Sequence, residues 1–449
     1  MANLAPVTGK ARIDVLDILR GVAILGIFFM NIPYMAQNAW LLENDIRSIG
    51  WTFADRTTWA AVEIIAEGTQ RGLLEMLFAA GMMVITAKAM EPDGPIAVAD
   101  LYYRRNLWLL GFGLFDVFVL LWVGDILHIY AIAALFLFPF RKLAPGWLVL
   151  IGMSFALATA AMGASEYVGR TELATKVEQA QMKQQAATPL TESDRAALKD
   201  WQTKIDRFKL DDTEKKAAAK EDAGRKPGAS YSSYASAMIS SWLTLQGKGF
   251  SLFGVIEAFF AMLIGIALWK WRITQGGRSA GFYLAMTIVS YGIGITIRTI
   301  GMGEIMAFSP MPKTIWITEE IGRLAMTLGH LALVNFLVKM AFGAALLAPF
   351  KAAGRMAFSL YFMQQIIGIY ILFAPFGLGL YGKFGWAELA AIAAAVVVAQ
   401  LVFANLYMRF FVAGPLEWLW RSLAYVRWQP LLRRVPPGAD VDRGGAAIA

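Results

Sequence analysis

The chain contains no cysteine and only two histidines in 449 residues. Disulfides and thiolate metal sites are therefore excluded, and so is a histidine-rich metal centre. Charge is scarce as well: charged residues make up 16% of the chain, against roughly 25% in soluble globular domains. No Gly-rich phosphate loop, GxSxG nucleophile elbow or HExxH pair occurs, so the familiar signatures of soluble enzymes are missing. The ten-residue alternation of an outer-membrane barrel is absent too. What is abundant is apolar surface. The hydrophobic fraction is 58% and mean hydropathy is +0.53, more than a water-soluble fold can bury, and the excess falls in blocks separated by short polar stretches.

Apolar windows fall at 15–37, 69–89, 102–122, 124–141, 145–166, 250–270, 279–303, 318–341, 355–377 and 387–411. They predict an all-α polytopic bundle of about ten transmembrane helices. The net charge of +8 is spread over helix ends instead of forming one patch, which reads as topology and not as nucleic-acid binding. Lys10, Arg12, Lys88, Arg104, Arg105, Arg141, Lys142, Lys270, Arg272, Arg278, Lys339, Lys351, Arg355 and Arg409 fall in loops of one side. Arg47, Arg56, Lys313 and Lys383 fall on the other. By the positive-inside rule both termini are expected in the cytoplasm of a bacterial inner membrane. The first apolar stretch includes Asp14, Asp17 and Arg20 and lacks a small-residue cleavage site, so it is expected to be retained as a first helix.

The expected organisation is helices one to five in 1–167, a polar insert at 168–235, helices six to ten in 236–413, and an interfacial helix with a loose tail in 414–449. The insert is rich in Lys, Glu, Asp, Gln and Ala. Thr191-Glu192-Ser193-Asp194 marks a helix start in it and Lys226-Pro227-Gly228 a stop. It is expected outside the cytoplasm. Residues 51–67, with Trp51, Phe53, Trp59, Glu63 and Glu67, are too polar to span and suggest a helix in the outer interface. Trp418, Trp420 and Trp428 interleave with Arg421, Arg427, Arg433 and Arg434 as an inner-headgroup helix does.

Four groups of residues carry candidate chemistry. In the first helix Arg20 and Asn31 fall on nearly the same side, with Asp17 about 60° away. An intramembrane arginine is costly unless it faces protein or water, so this stripe should point into the bundle, although an Arg20–Asp17 pair also serves a purely structural role. Asp125 and His128 share a helical face, and a tight hairpin brings Asp116 to a similar depth, so two carboxylates are expected to flank one imidazole. A carboxylate on one ring nitrogen raises the basicity of the other, as a general base requires, while a helix cap and an interior histidine are the bland alternative. Arg71, Glu75, Glu257 and Arg298, with Glu304, Glu319, Glu320 and Arg323, suggest a water-filled cavity open to the outside. His330, near Asn335, and the pair Gln364 and Gln365 suit interhelical hydrogen bonds.

The segments LDILRGVAILGIFFMNI at 16–32, WVGDILHIYAI at 122–132, GRMAFSLYFMQ at 354–364 and GPLEWLWR at 414–421 resemble the YeiB family of bacterial inner-membrane proteins, which carries a domain of unknown function numbered 418. The first also looks like the opening helix of the acyltransferase-3 proteins and the heparan-glucosamine acetyltransferases, whose Arg-Gly pair corresponds to Arg20 and Gly21. This chain departs from the acyltransferase-3 pattern in having Asn31 where a histidine stands, and residues 32–60 contain no histidine. Many YeiB relatives place a histidine near the position of Asp116.

The resemblance implies a membrane-embedded acyltransferase that takes an acyl group from cytoplasmic acyl-coenzyme A and passes it to a hydroxyl or amine of a small-molecule, lipid or saccharide acceptor outside, without a metal. On that reading His128, Asp125 and Asp116 are catalytic, Arg20, Asp17, Asn31, Arg104 and Arg105 bind the donor, and membrane lipids surround the bundle. A transporter that relays an ion or solute through the same charges is the alternative, as is a non-catalytic sensor or scaffold.

Overall fold

The structure, a computed structural model, describes residues 13–86, 96–206 and 209–433. Lys10, Arg12, Lys88, Arg434 and the C-terminal tail lie outside the described residues. Among those described the fold is all-α, with no strand and one isolated antiparallel bridge between Phe411 and Leu432. In chain order the helices are α1 (Asp14–Ala36), α2 (Ala39–Asn44), α3 (Phe53–Ile65), α4 (Thr69–Thr86), α5 (Ile96–Phe118), α6 (Leu127–Leu137), α7 (Pro145–Gln185), α8 (Glu192–Asp206), α9 (Asp212–Arg225) and α10 (Tyr231–Gly247). They continue as α11 (Phe250–Lys270), α12 (Ala280–Met306), α13 (Ile315–Val338), α14 (Ala341–Arg355), α15 (Ala357–Gln365), α16 (Trp386–Phe410) and α17 (Pro415–Tyr425). α15 runs on as a π-helical stretch, Ile366–Phe373.

The chain is a multi-pass helical membrane protein, but with fewer spans than the ten expected. Six described helices are long and apolar enough to cross a bilayer: α1, α7, α11, α12, α13 and α16. A seventh arises if α14 and the continuous α15–Phe373 segment, bent by 74° at their junction, count as one. The windows at 69–89, 102–122 and 124–141 become α4, α5 and α6. α6 has only 11 residues, against about 20 needed to span. α5 carries Arg104, Arg105 and Asp116, and α4 opens on Gln70, Arg71 and Glu75, so neither presents an unbroken apolar length.

α1 is the axis of the bundle, packed against α14, α4, α16 and α13. Its contact with α14 is backbone on backbone. A Cβ built on Gly354 would run into the Asp17 carbonyl, and one on Gly21 into the Phe350 carbonyl. Without glycines there, the two helices could not approach so closely, the small-residue solution favoured where lipid leaves no hydrophobic drive between helices.

The two ends of α1 are covered by different structures. At its C-terminal end sits the polar insert. α7 continues without a break past the expected boundary at 167 to Gln185, 41 residues in all, or roughly 60 Å. α8 starts where Thr191 and Asp194 cap each other, Thr191 Oγ1 donating to Asp194 Oδ2 over 2.7 Å and Asp194 N to Thr191 Oγ1 over 3.2 Å. α9 stops at Arg225, before Pro227. The insert docks through Arg225, which donates to the carbonyls of Tyr34, Met35 and Gln37 and to Glu221. Asn38 joins it, giving hydrogen bonds to the Ala218 carbonyl and Asp222. At the other end α17 closes the bundle: Glu417 accepts from Phe358 N at 2.7 Å and Ser359 Oγ at 2.5 Å, and Trp420 Nε1 donates to the Arg105 carbonyl over 2.8 Å. The expected helix within 51–67 is α3, started by a reciprocal Thr52–Asp55 cap.

Candidate functional site

Two cavities lie along α1, one toward each end. The larger, about 1430 Å³, lies under the insert and is lined by Asn31, Tyr34, Glu67, Arg71 and Asp125 and by insert residues such as Glu221 and Arg225. The smaller, about 390 Å³, lies at the α17 end and is lined by Asp17, Arg20, Arg105, Arg355, Tyr361, Glu417 and Arg421. Ile126 borders both. Asp125, on the wall of the larger cavity, accepts a 3.2 Å hydrogen bond on Oδ1 from the hydroxyl of Tyr361, on the wall of the smaller.

The α5–α6 turn builds the centre of this partition. Asp125 is buried just ahead of α6, and its carboxylate caps that helix, accepting from Leu127 N at 3.1 Å and His128 N at 2.9 Å. The cap also reaches forward one turn: Oδ2 lies 2.8 Å from His128 Nδ1. A carboxylate on that side holds the proton on Nδ1 and leaves the Nε2 lone pair directed away. Nε2 is 2.9 Å from Ser251 Oγ, in the first turn of α11, so the hydroxyl donates and the imidazole accepts. Gly113 of α5 makes room for the arrangement, since a Cβ there would collide with His128 N and approach Asp125 Oδ2. The Trp242 ring stands edge-on to the imidazole at 6.4 Å.

The expected residues are distributed as follows. Asp125 and His128 come together as the spacing implied. Asp116 makes no hydrogen bond to the imidazole; it is fully buried and takes a 3.4 Å hydrogen bond from Gln365 Nε2. Asp17 and Arg20 pair at 2.8 Å beside the smaller cavity, while Asn31 of the same stripe opens into the larger one. Arg105 joins Arg20 at the smaller cavity and stacks on Trp420 at 4.2 Å. Arg104 turns to Asp100 and the Ala424 carbonyl.

Of the expected outer cluster only Arg71 lines the larger cavity. It pairs with Glu257 at 2.9 Å, and Arg323 ties Glu75, Glu257 and Glu320 together at 2.8–3.0 Å. Arg298 stays out of these pairs and caps the end of α3, donating to the carbonyls of Glu63 at 2.5 Å and Glu67 at 2.6 Å. His330 Nδ1 lies 3.3 Å from the Tyr291 hydroxyl of α12 and 3.0 Å from the Met326 carbonyl. Gln364 bridges α1 and α16 through the Ile24 carbonyl and Gln400.

Two partners of the Asp125–His128 pair were not singled out from the sequence: Tyr361, although it lies in the 354–364 segment that carries the family resemblance, and Ser251, which had no signal. Ser251 is 123 positions from His128, and one hydroxyl near a helix start is common enough to mean nothing alone. Among the described residues no group of three or more His, Cys, Asp or Glu side chains is arranged to hold a metal ion.

No solved structure matches this chain. Residues 268–427 match a family model described as "Protein of unknown function (DUF418)". Over 97% of its length the chain is 30% identical to "Uncharacterized protein YxaH" of Bacillus subtilis (strain 168), covering 99% of that protein. Over 91% of its length it is 24% identical to "Uncharacterized protein YeiB" of Escherichia coli (strain K12), covering 95% of it. With the family model lying over α12 to α17 and a relative this similar from end to end, the chain belongs to the DUF418 family of membrane proteins that includes YeiB.

Proposed function

We propose that this protein is a membrane-embedded acyltransferase that takes an acyl group from cytoplasmic acyl-coenzyme A and passes it to a hydroxyl or amine acceptor in the large cavity, on the outer side of a bacterial inner membrane. On this reading both termini and the smaller cavity face the cytoplasm and the insert faces outward, in line with the gathering of Arg20, Arg105, Arg355 and Arg421 at the α17 end. The observation that carries the reading is the Asp125–His128 pair: Asp125 lines the larger cavity, and the buried His128 stands in the chain between Leu127, which lines the smaller cavity, and Ile129, which lines the larger. An imidazole oriented by a buried carboxylate is suited to remove a proton from an attacking hydroxyl and return it to a leaving thiolate.

The smaller cavity fits the donor. Arg20, Arg105, Arg355 and Arg421 outnumber Asp17 and Glu417 around it, and guanidinium groups recognise phosphate oxygens through paired hydrogen bonds. The larger cavity suits an acceptor with both apolar and polar parts. A transporter reading would rest on the Arg71–Glu75–Glu257–Arg323 network. Those groups are ion-paired with one another and Arg71 alone of them reaches a cavity, which favours a structural role for them.

The test is single-turnover transfer from labelled acetyl-coenzyme A in proteoliposomes, with His128→Gln compared against His330→Gln. Each change removes one histidine from the helical bundle. His128→Gln should slow transfer by roughly 10²–10⁴-fold, the usual contribution of a general base, and His330→Gln should change it little. Equal small losses at the two sites would overturn the assignment of His128.

A further inference from the structure

Ser251 turns the dyad into a chain of three. From Asp125 Oδ2 to His128 Nδ1 is 2.8 Å, and from His128 Nε2 to Ser251 Oγ is 2.9 Å. These are the contacts by which a carboxylate and an imidazole activate a serine hydroxyl, and the arrangement is recognised by geometry whatever fold supplies it. The geometry points to Ser251 as a nucleophile that carries the acyl group covalently between donor and acceptor. This deepens the acyltransferase reading and rests on it for the identity of the donor.

The local structure suits that role. Gly249, at φ +79°, turns the chain from α10 into α11 through a left-handed conformation that a side chain would strain. Being glycine, it supplies no side-chain cap to α11, so the first-turn N–H groups, which have no partner within the helix, remain available to an oxyanion. Phe250, Asp125 and Ile129 line the larger cavity beside Ser251. Ser251 is half-buried and His128 buried.

The chemistry balances in two steps. Ser251 Oγ attacks the thioester carbonyl while His128 Nε2 takes its proton; the C–S bond then breaks, the thiolate leaves with that proton, and an ester to Oγ remains. The acceptor hydroxyl next attacks this ester while Nε2 takes the acceptor's proton. The C–Oγ bond breaks and the proton returns to Oγ, regenerating the hydroxyl.

The experiment uses the full chain in detergent or lipid nanodiscs and two probes. Diisopropyl fluorophosphate tests the activated serine without assuming any donor, and labelled acetyl-coenzyme A tests the donor; adducts are located by peptide mass spectrometry. Expected are a diisopropylphosphorylated Ser251, formed with loss of fluoride, whose formation falls at least roughly 100-fold in His128→Gln, and an acetylated Ser251 that is chased by acceptor. Ser251→Cys, which keeps size and nucleophile, should trap a hydroxylamine-sensitive thioester at the same position.

Labelling by the phosphorylating probe alone would uphold the activated serine and overturn coenzyme A as the donor's carrier. A folded protein in which neither probe modifies residue 251 would overturn the proposal. So would wild-type single-turnover transfer by Ser251→Ala, and that result would leave direct transfer assisted by His128 intact.

Discussion

Replacing Arg225 with alanine should release the polar insert from the bundle. The guanidinium is buried and makes two kinds of contact at once. It pairs with the equally buried Glu221 at 2.7 Å, and it donates to carbonyls at the end of α1, those of Tyr34, Met35 and Gln37. Carbonyls at a helix C-terminus have no partner within the helix, so losing their cap costs more than losing a surface contact. Breaking a buried pair by removing one member typically costs about 3–5 kcal/mol, because the other charge stays buried and uncompensated. Even about 3 kcal/mol shifts a docking equilibrium by more than roughly 100-fold. The cost should appear as local opening of α9, since the spans are held by other contacts.

Hydrogen exchange of residues 212–225 in nanodiscs would measure this directly. Wild type should protect α9, Arg225→Ala should lose that protection by roughly two orders of magnitude, and the spans should exchange as before. A pH dependence should accompany the loss. Burial raises the Glu221 carboxyl above its usual value of 4.5, while Arg225 opposes the rise. A carboxyl raised in the docked state contributes stability that is present below its undocked value and lost as pH rises. Docking of the mutant should therefore recover as pH falls toward 4.5, and Glu221→Gln in the same background should restore part of it at neutral pH. Unchanged exchange of α9 in Arg225→Ala would refute the argument that this side chain holds the insert down.

Two further expectations concern the scaffold. The Lys183 ammonium foremost, then the Thr191 hydroxyl and amide, hold Asp194 down to about 2 from a usual 3.8; a depressed carboxyl stabilises above its unfolded value and loses that contribution as pH falls. The start of α8 should thus fray between about pH 4 and pH 2, seen as an acid limb in insert exchange that Asp194→Asn lacks; an identical limb in the variant would rule this group out. Gly354→Ala should force α14 off the Asp17 carbonyl and cost about 1–3 kcal/mol, as overpacking does, read as a lowered Tm, whereas Gly281→Ala, with open space around it, should be silent.

What the sequence conveyed depended on whether the physics was local. The start of α8 and the end of α9 were readable because Thr191–Asp194 and Lys226-Pro227-Gly228 act within a turn of their own positions, whereas the break between the two helices was not read. Asp125 and His128 were readable as partners because three residues along a helix is a contact distance. Asp116 was expected at the imidazole but is bonded to Gln365 instead, because hairpin depth does not say which neighbour a side chain meets. Arg20 and Asn31 do lie on one stripe, but eleven residues is about 16 Å of helix, enough to put them in different cavities. α6 read as a span because hydrophobic windows ignore where helices end, the hairpin spending residues 119–126 on a turn and leaving it 11 residues, while α4 and α5 read so because a window average passes over Arg71, Glu75, Arg104, Arg105 and Asp116. Ser251 could not be found at all, its partner being supplied by the packing of α11 on α6.

That packing links the two buried polar systems. Glu257 sits six residues after Ser251 on α11, about 9 Å along the axis, and is paired with both Arg71 of α4 and Arg323 of α13. Rotation or translation of α11 would separate these charges in a low-dielectric interior, where leaving one unpaired is costly. The Ser251–His128 contact, by comparison, is a single hydrogen bond, worth only about 1 kcal/mol of net stability, and is too weak to position a helix. The ion-paired network therefore fixes the register of α11, and the hydroxyl inherits its place from it. The intramembrane charges first legible as a cavity lining instead brace the helix that presents Ser251 to the imidazole.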